Sequence, residues 1–371
     1  MTPKRRTTRP DGLTERQRLI LALVVGEHIA SAQPVGSKHL VTKYRLSVSA
    51  ATVRNELARL TRLGYLRQPH ASAGRVPTEK GYRTFVTELM GRVDLPAEVK
   101  HTIAHQFGQV RQDMEAWMRL AASVLARQSR MAALVTAPHP EEVRYQHVEL
   151  VALYGRRILM VLVLASGEVR QQILVLSEPV PQARLRAVAD RLNAYCADKT
   201  WEELAILPTP ADALEADILL LVRREMEAVQ QDWTEDLVHD GLAQVLNEPE
   251  FGESEAARRT LRLIEERTLL EQLFRRMVAT TEVGGVQVLI GGENTWEELR
   301  DCAIVLARYG VSGVATGMLG VVGPMRMAYS RTIPTVRYVA HVLTDLVSDT
   351  LLDEPTAEEG REDGEEKAQA V

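Results

Sequence analysis

The segment 49–77 constrains the fold of this chain more than any other stretch. The apolar residues of its first half recur at spacings of four and three, on one face of a helix: Val53, Leu57 and Leu60. Ser49 is a favourable N-cap for this helix, and Gly64 suits the position just after its last turn. The second half predicts a β-hairpin, with a strand at Tyr65 to Gln68 and a turn-rich tip at Pro69 to Gly74.

The helix face opposite the apolar residues carries small residues, an amide and guanidinium groups, and it contains no acid. A helix with such a face, followed directly by a basic hairpin, is typical of a winged helix-turn-helix. In that motif the helix enters the major groove of DNA, about 12 Å wide, and the wing lies along the backbone or the minor groove. The alternative is an ordinary amphipathic helix and hairpin with a solvated basic face.

The sequence predicts two kinds of DNA contact. Asn55 and Arg59, with Thr52 beside them, are expected to read bases, because an amide pairs with adenine and a guanidinium with guanine. Basic side chains of the hairpin and of the preceding helix are expected to hold phosphates. The predicted DNA-binding residues are Ser49, Ala51, Thr52, Arg54, Asn55, Arg59, Arg62, Lys38, Lys43, Arg67, His70 and Arg75.

Charge is distributed unevenly along the chain. Residues 1–92 contain 17 Lys and Arg against 6 Asp and Glu, a net charge of +11. The remaining residues contain 28 against 44, a net charge of −16, within a total of −5. A basic end on an acidic body indicates a DNA-binding domain joined to domains that the duplex repels.

The residues around the first segment complete a winged helix. Thr14 to Ala30 predicts a first helix that starts at a capping box formed with Gln17, and Ser37 to Tyr44 predicts a second helix. A further helix, from Thr78 to about Met90, closes the domain. The basic residues before Leu13 form an arm that either follows phosphates or frays.

The middle of the chain mixes helices and strands. Leu95 to Arg130 predicts a long helical region whose apolar residues form nearly a heptad seam, so packing within its own domain and a dimer seam both fit. Short turns predict three antiparallel strands, at Val148–Tyr154, Ile158–Leu164 and Glu168–Leu176. The helices that follow Pro181 suggest an insertion, and its Ile218–Val222 run is more apolar than a solvated helix needs.

Towards the end of the sequence the pattern changes again. It predicts helix Leu261–Val278, strand Val286–Ile290, a helix from a Thr295–Glu298 capping box to Tyr309, and strand Gly313–Thr316. A glycine-rich turn at Gly317, Gly320 and Gly323 precedes a last helix at Thr335–Val347. Residues 353–371 hold eight acids and two bases, which predicts a disordered acidic tail.

Composition and motifs exclude several classes of function. The longest apolar runs, Leu19–Val25 and Ile158–Ala165, are shorter than the ~20 residues of a membrane span, and no signal peptide is evident. The two cysteines, Cys196 and Cys302, indicate a reducing cytoplasm. No Cys/His pair has metal-ligand spacing, and the glycine-rich turn lacks the lysine of a phosphate loop. We expect a cytoplasmic protein that is not an enzyme, with no cofactor, metal or membrane partner.

Four motifs together resemble one known family. They are L-T-E-R-Q-x-x-I-L from Leu13, P-V-G-S-K-x-L from Pro34, S-x-A-T-V-R-N-E-L-x-x-L-x-x-L-G-Y-L from Ser49, and H-A-S-A-G-R-V-P-T-E-K-G-Y-R from His70. This combination covers most of the winged helix and resembles the heat-inducible transcription repressor family HrcA. The stretch Gly317–Tyr329, G-M-L-G-V-V-G-P-M-R-M-A-Y, is also similar to that family, although Met325 stands where Thr is usual.

The resemblance implies a dimeric repressor of chaperone genes that binds an inverted-repeat operator in double-stranded DNA and depends on a chaperonin for its active form. It also implies an α+β fold class, in which an N-terminal winged helix-turn-helix joins a GAF-like α/β domain carrying a helical dimerising insertion. The expected division is a basic disordered arm at 1–12, the winged helix at 13–92, the GAF-like domain at 93–180 and 251–350, the inserted dimerising domain at 181–250, and a disordered acidic tail at 351–371.

A two-fold operator needs two recognition helices about 34–36 Å apart, or a multiple of that distance, and each chain supplies one. We therefore expect the insertion, through Ile218–Val222, to hold the dimer contacts. The alternative function is a ligand-sensing transcription regulator, with a metabolite bound in the GAF-like domain.

Overall fold

The structure is a computed structural model that describes residues 12–110, 113–231, 236–251, 255, 258–259, 261–262, 266–278, 280–291 and 299–352. Its helices are α1 (Glu15–Ser31), α2 (Ser37–Tyr44), α3 (Ala50–Arg62), α4 (Glu79–Thr84), α5 (Ala97–Gly108), α6 (Met114–Ser129), α7 (Gln182–Cys196), α8 (Trp201–Ala205), α9 (Ala213–Gln231), α10 (Leu242–Leu246), α11 (Arg267–Val278) and α12 (Tyr329–Leu352). Its strands are β1 (Leu66–Arg67), β2 (Val76–Pro77), β3 (Ala132–Val135), β4 (His139–Pro140), β5 (Tyr145–Ala152), β6 (Arg157–Leu164), β7 (Val169–Val175), β8 (Val238–Asp240), β9 (Val286–Ile290), β10 (Cys302–Val311) and β11 (Ala315–Pro324). The predicted capping box at Thr295–Glu298, the arm up to residue 11 and the acidic residues 353–371 lie outside the described residues.

Residues 12–92, the winged-helix region, form the three helices and the hairpin that the sequence predicts. Thr14 Oγ1 accepts a hydrogen bond from the Gln17 N–H at 3.4 Å, and the Gln17 side chain accepts one from the Thr14 N–H at 3.0 Å, so the predicted capping box starts α1. β1 pairs antiparallel with β2, with Leu66 opposite Pro77. The closing helix passes from α4 into a π-helical turn at Phe85–Leu89.

The described residues divide into two compact units. The first unit draws on the described residues within 12–137, 237–310 and 317–352, and it contains the winged-helix region and a sheet in the order β8–β3–β11–β10–β9. The pairs β10–β9, β11–β3 and β3–β8 are antiparallel, and α6 packs on both β3 and α12. This combination of helices and antiparallel strands confirms the α+β fold class.

The predicted helical region 95–130 is two helices rather than one. α5 ends at Gly108, and α6 starts after Asp113, whose carboxylate accepts a hydrogen bond from the Glu115 N–H at 3.1 Å. Several residues of the predicted seam are buried in the first unit, namely Ile103, Phe107, Trp117, Ala121 and Val124. Their burial agrees with the simpler of the two interpretations, in which the helices pack within their own domain.

Two predictions between residues 295 and 324 are wrong. The helix expected to reach Tyr309 is instead β10, and the glycine-rich turn lies within β11. A Cβ atom on Gly317 would lie 2.5 Å from the Tyr309 ring, and one on Gly320 would lie 2.3 Å from the Val305 carbonyl oxygen. These glycines allow neighbouring strands to approach closely, so tertiary packing overrides the local preference for a turn.

The second unit comprises residues 138–236 and 311–316. β5, β6 and β7 form an antiparallel sheet in that order, joined by the predicted turns at Gly155 and Gly167, where φ is +70° and +85°. One face of this sheet shares a core with α7 and α9. The predicted boundary at residue 181 separates these strands from the helices, whereas the shared core joins them in one unit.

The Ile218–Val222 run is not the exposed surface that its composition suggests. Ile218, Leu219 and Val222 are buried in the core of the second unit, and Leu220 alone within the run is exposed. Exposed and half-exposed apolar side chains lie instead on the other side of the three-stranded sheet, called here the outer face: Val151, Leu159, Val161, Val163, Val169, Ile173 and Val175. None of the described helices is long and apolar enough to cross a membrane.

Candidate nucleic-acid interface

α3 is fixed by both of its ends and by its buried side. Ser49 Oγ accepts a hydrogen bond from the Thr52 N–H at 3.1 Å and lies 3.0 Å from Thr52 Oγ1. Val53, Leu57 and Leu60 are buried, as the sequence predicts. Gly64 follows the helix with φ of +80°, a conformation that favours glycine. The local signals in the sequence therefore suffice to orient this helix.

The opposite side of α3 faces solvent. The predicted base-reading and cationic side chains are exposed there, and Thr52 is half-buried: Ala51, Thr52, Arg54, Asn55, Arg59 and Arg62. Glu56, the one acid of α3, points elsewhere, because it accepts a hydrogen bond from Gln17 Nε2 at 2.9 Å and lies 3.9 Å from Arg16. The exposed side of the helix thus presents amide and guanidinium donors without a carboxylate.

The cations of this region fall into two sets. Among the described residues, one set consists of exposed cations on α2 and α3 that have no carboxylate partner, and it is called here the cationic surface: Lys38, Arg54, Arg59 and Arg62. The other set pairs with the acids of α1 and α4 and of the π-helical turn, as in Arg83–Glu79 at 2.7 Å and Arg18–Glu88 at 2.9 Å. Positive charge therefore remains uncompensated on α3 and at the start of α2, whereas Arg67, at the base of the wing, lines a separate cleft together with Glu250, Glu255 and Asp301.

Backbone contacts tie the wing to the residues before α2. Val35 and Arg75 exchange two backbone hydrogen bonds, at 2.8 and 2.9 Å. A Cβ atom on Gly74 would lie 2.5 Å from the Val35 carbonyl carbon, so only glycine fits there without a shift. Gln68 Nε2 donates to the carbonyl oxygens of Ala71 and Ala73 at 2.8 and 3.0 Å and shapes the tip that exposes His70.

A cleft between α2 and the wing gathers hydrogen-bond donors. Gly36 precedes α2 and offers no side-chain cap, so the N–H groups of the first turn lack one. The side chains that line this cleft include Ser37, Lys38, Arg54, Gln68 and Arg75. An uncapped helix N-terminus favours an anion, and the neighbouring cations strengthen that preference. The cleft is chemically suited to a phosphate group.

Lys43, another predicted phosphate contact, already has an anionic partner. Lys43 Nζ and His39 Nε2 both contact the carboxylate of buried Glu27, which also accepts a hydrogen bond from Tyr44 Oη at 3.2 Å. The hydrogen bond from Lys43, followed by that from His39, lowers the pKa of Glu27, and the same bond raises the pKa of Lys43. Lys43 therefore joins α2 to α1, and its charge is partly neutralised.

Arg75 also has a side-chain partner, but that partner is neutral. Its Nε donates to Thr61 Oγ1 at 3.0 Å, and the Thr61 hydroxyl donates to the Leu57 carbonyl oxygen at 2.9 Å. Sequence reasoning did not separate Arg75 and Lys43 from the unpaired cations, because their partners lie 14 and 16 residues away. It also missed Arg45, an exposed cation in the turn between α2 and α3 that a search for basic turn residues would have found.

A winged helix that exposes an acid-free, cationic recognition helix defines a DNA-binding transcription regulator. The family model described as "HrcA protein C terminal domain" matches residues 115–333. The chain is 45% identical over 345 residues to the heat-inducible transcription repressor HrcA of Roseiflexus castenholzii, and the match covers 91% of this chain and 95% of that protein. The chain belongs to the HrcA family of heat-inducible transcription repressors.

Other comparisons agree with this assignment. The HrcA repressor of Chloroflexus aurantiacus is 42% identical over 354 residues, which cover 91% of this chain and 94% of that protein. A crystal structure of a hypothetical protein matches with a TM-score of 0.59 and 24% identity, over 91% of this chain and 99% of that one. This structure shares the fold. The resemblance read from the four winged-helix motifs is therefore confirmed, and so is its implication of a transcription repressor.

Proposed function

We propose that this chain is a dimeric repressor of chaperone genes that binds an inverted-repeat operator through its winged helix. We further propose that a chaperonin maintains its active form and that heating removes it. The observation that carries the DNA-binding part is the exposed, acid-free side of α3, with Asn55 and Arg59 one helical turn apart. A helix of this kind fits the major groove, where amide and guanidinium groups discriminate between base pairs.

The cationic surface supports a division of labour around that helix. Asn55 and Arg59 read bases, and Lys38, Arg54 and Arg62 hold phosphates on either side of them. The cleft at the start of α2 adds backbone donors to Lys38 and Arg54, so one phosphate is held by a helix end and by two cations. Lys43 and Arg75, with their contacts to Glu27 and Thr61, position α2 and the wing. His70 lies at the exposed tip of the wing and contacts the sugar-phosphate backbone of DNA.

The second unit supplies the dimer contacts through its outer face. On the neighbouring strands β6 and β7, Leu159 lies opposite Ile173 and Val163 lies opposite Val169. Ile173 and Val175 are 59% and 67% exposed, which is unusual for large apolar side chains on adjacent rows of a sheet. A second copy of the chain would remove these side chains from water and would supply the second recognition helix that a two-fold operator requires.

The same apolar surface connects assembly to a chaperonin. A chain whose outer face is unpaired leaves the apolar side chains of that face in water, and exposed apolar surfaces aggregate when partners are missing. A chaperonin that binds exposed apolar surface would hold these monomers until they pair. On heating, other unfolded proteins would occupy the chaperonin. The repressor would then stay unassembled and would no longer bind its operators.

Two measurements test this function. Protection of promoter DNA among total genomic fragments should yield a site with two-fold symmetry upstream of chaperone genes. Gel shifts with purified protein, before and after mild heating, should lose the specific complex on heating and regain it with chaperonin and ATP. Protection without sequence preference would contradict the repressor. A fully active monomer that chaperonin does not affect would contradict the activation mechanism and leave DNA binding intact.

A further inference from the structure

The acidic residues 353–371 and the cationic surface are complementary in charge. The acidic residues comprise eight Asp and Glu against two Lys and Arg. The cationic surface has four cations without a carboxylate partner, while four of the five acids at 13–92 contact cations elsewhere in the winged-helix region. In neither set is the net charge balanced by opposite charges nearby in the sequence.

We propose that residues 353–371 bind the cationic surface of the winged helix and compete there with DNA. This inference rests on the proposed DNA-binding function of that surface. Carboxylates accept hydrogen bonds from guanidinium and ammonium groups as phosphates do. An acidic peptide, unlike DNA, offers no base edges for α3 to read. The acidic residues therefore act as a tethered competitor that operator DNA displaces.

The distances within the first unit allow this contact. Tyr329, at the start of α12, packs against Tyr82 of α4 with ring centroids 6.3 Å apart. α12 has 24 residues and ends at Leu352, so it carries the chain roughly 36 Å from that contact. The 19 residues that follow span at most about 65 Å when fully extended, which is enough to return to the winged-helix region.

Tethering makes a weak contact effective. A competitor linked by a short chain acts at an effective concentration on the order of 1 mM. A dissociation constant of about 10⁻⁴ M, as for weak non-specific DNA contacts, then lowers the apparent affinity for any duplex about tenfold. Because salt screens the contact, this loss should disappear at high ionic strength, and the acidic residues should make the salt dependence of DNA binding shallower.

The test compares three versions of the full protein by fluorescence anisotropy with one labelled duplex across a salt series. They are the parent chain, a chain ending at Leu352, and a chain in which the eight acids at 353–371 are changed to Asn and Gln. The two variants should bind about tenfold more tightly than the parent at low salt, with a steeper slope, and should converge with it at high salt. Equal affinity of all three would overturn the inference while leaving DNA binding intact. Failure of all three to bind any duplex would contradict the proposed function itself.

A second measurement separates docking from simple repulsion of the duplex. A labelled peptide of residues 353–371 is added to the chain ending at Leu352. The peptide should bind, and unlabelled duplex should displace it. A scrambled peptide of the same composition serves as the control and should bind equally, because the contact depends on charge. A peptide that does not bind, or that duplex does not displace, would overturn the inference.

Discussion

The winged-helix region and the second unit each expose an incomplete surface, but the two surfaces are chemically opposite. The cationic surface carries charged side chains that water solvates well, so the region is stable without its partner. The outer face exposes Ile173 and Val175 to water. Apolar surface left in water is unfavourable by roughly 25 cal/mol per Å² relative to buried surface. On the proposed function, DNA therefore binds a domain that is already stable, whereas a second copy of the chain would stabilise the outer face by covering it.

The largest expected effect comes from a charge on the outer face. Ile173→Glu should weaken dimerisation at least about 100-fold, because an unpaired carboxylate would be desolvated between apolar side chains. Leu220→Glu is the matched control, since Leu220 is the exposed residue of the apolar run in α9. Sedimentation equilibrium measures both dissociation constants. If Leu220→Glu dissociates the dimer and Ile173→Glu does not, the outer face is not the contact.

A smaller effect is expected when a base-reading group is removed from α3. Asn55→Ala should lower affinity for the operator by about 10- to 100-fold, equivalent to roughly 1–3 kcal/mol. Its salt-sensitive binding to unrelated DNA should remain, because the cationic surface is unchanged. Arg83→Ala, on α4 and paired with Glu79, is the control that should leave both affinities unaltered. Unchanged operator affinity in Asn55→Ala would mean that α3 is not the reader.

The next effect concerns the buried carboxylate beneath α2. Glu27→Gln should lower the local stability of α1 and α2 by about 1 kcal/mol at pH 7, a modest amount because Lys43 and His39 are half exposed to solvent. The pKa of Glu27 is lowered in the folded protein from its ordinary value of 4.5. The ionised carboxylate therefore stabilises the fold above pH 4.5, and this stabilisation is lost as the pH falls below that value.

Hydrogen exchange of the α1 and α2 amides measures this difference. The parent should lose protection below about pH 4.5 more steeply than Glu27→Gln does, since Gln does not titrate. Glu79→Gln, which removes a half-exposed ion pair on α4, should change protection by less than about 0.5 kcal/mol. Equal pH profiles for the parent and Glu27→Gln would show that the carboxylate contributes nothing to the packing of α2.

The smallest effect distinguishes two lysines of the same helix. Lys38→Ala should reduce the slope of log K against log salt by about 0.9, the amount expected for one lost phosphate contact. Lys43→Ala should reduce it by less than half as much, because its ammonium group contacts Glu27. Filter binding to a non-specific duplex at five salt concentrations measures both slopes. Equal reductions of the two slopes would mean that Lys43 also contacts a DNA phosphate.

The winged helix could be predicted from the sequence because its signals are local. The Thr14–Gln17 capping box, the Ser49 cap and the Gly64 stop each act within a few residues. The roles of Lys43 and Arg75 could not be predicted, because they depend on Glu27 and Thr61 in other elements. A basic residue near a recognition helix gives no local sign of whether its charge is paired.

β10 and β11 illustrate the opposite case. Their sequence has helical spacing and repeated glycines, so local preference favours a helix and a turn. The strand structure depends on contacts such as the close approach of Gly317 to the Tyr309 ring, and on the Tyr309 hydroxyl donating to the Thr136 carbonyl oxygen at 2.6 Å, across 173 residues. The outer face was also missed, because the exposed side of a sheet becomes evident only when its helices are seen on the other side.

The position of β3 affects the order in which the chain can fold during synthesis. β3 pairs with β8 and β11, and Thr136 Oγ1, just after β3, accepts a hydrogen bond from the Met318 N–H, 182 residues later. At about 5–20 residues per second, a ribosome needs roughly 10–40 s to make that intervening chain. β8 emerges within this interval and can cover one edge of the apolar strand A-A-L-V, while the edge that pairs with β11 stays open until the end of it. An open apolar strand edge can pair with other chains, so each new copy passes through an aggregation-prone state during its synthesis.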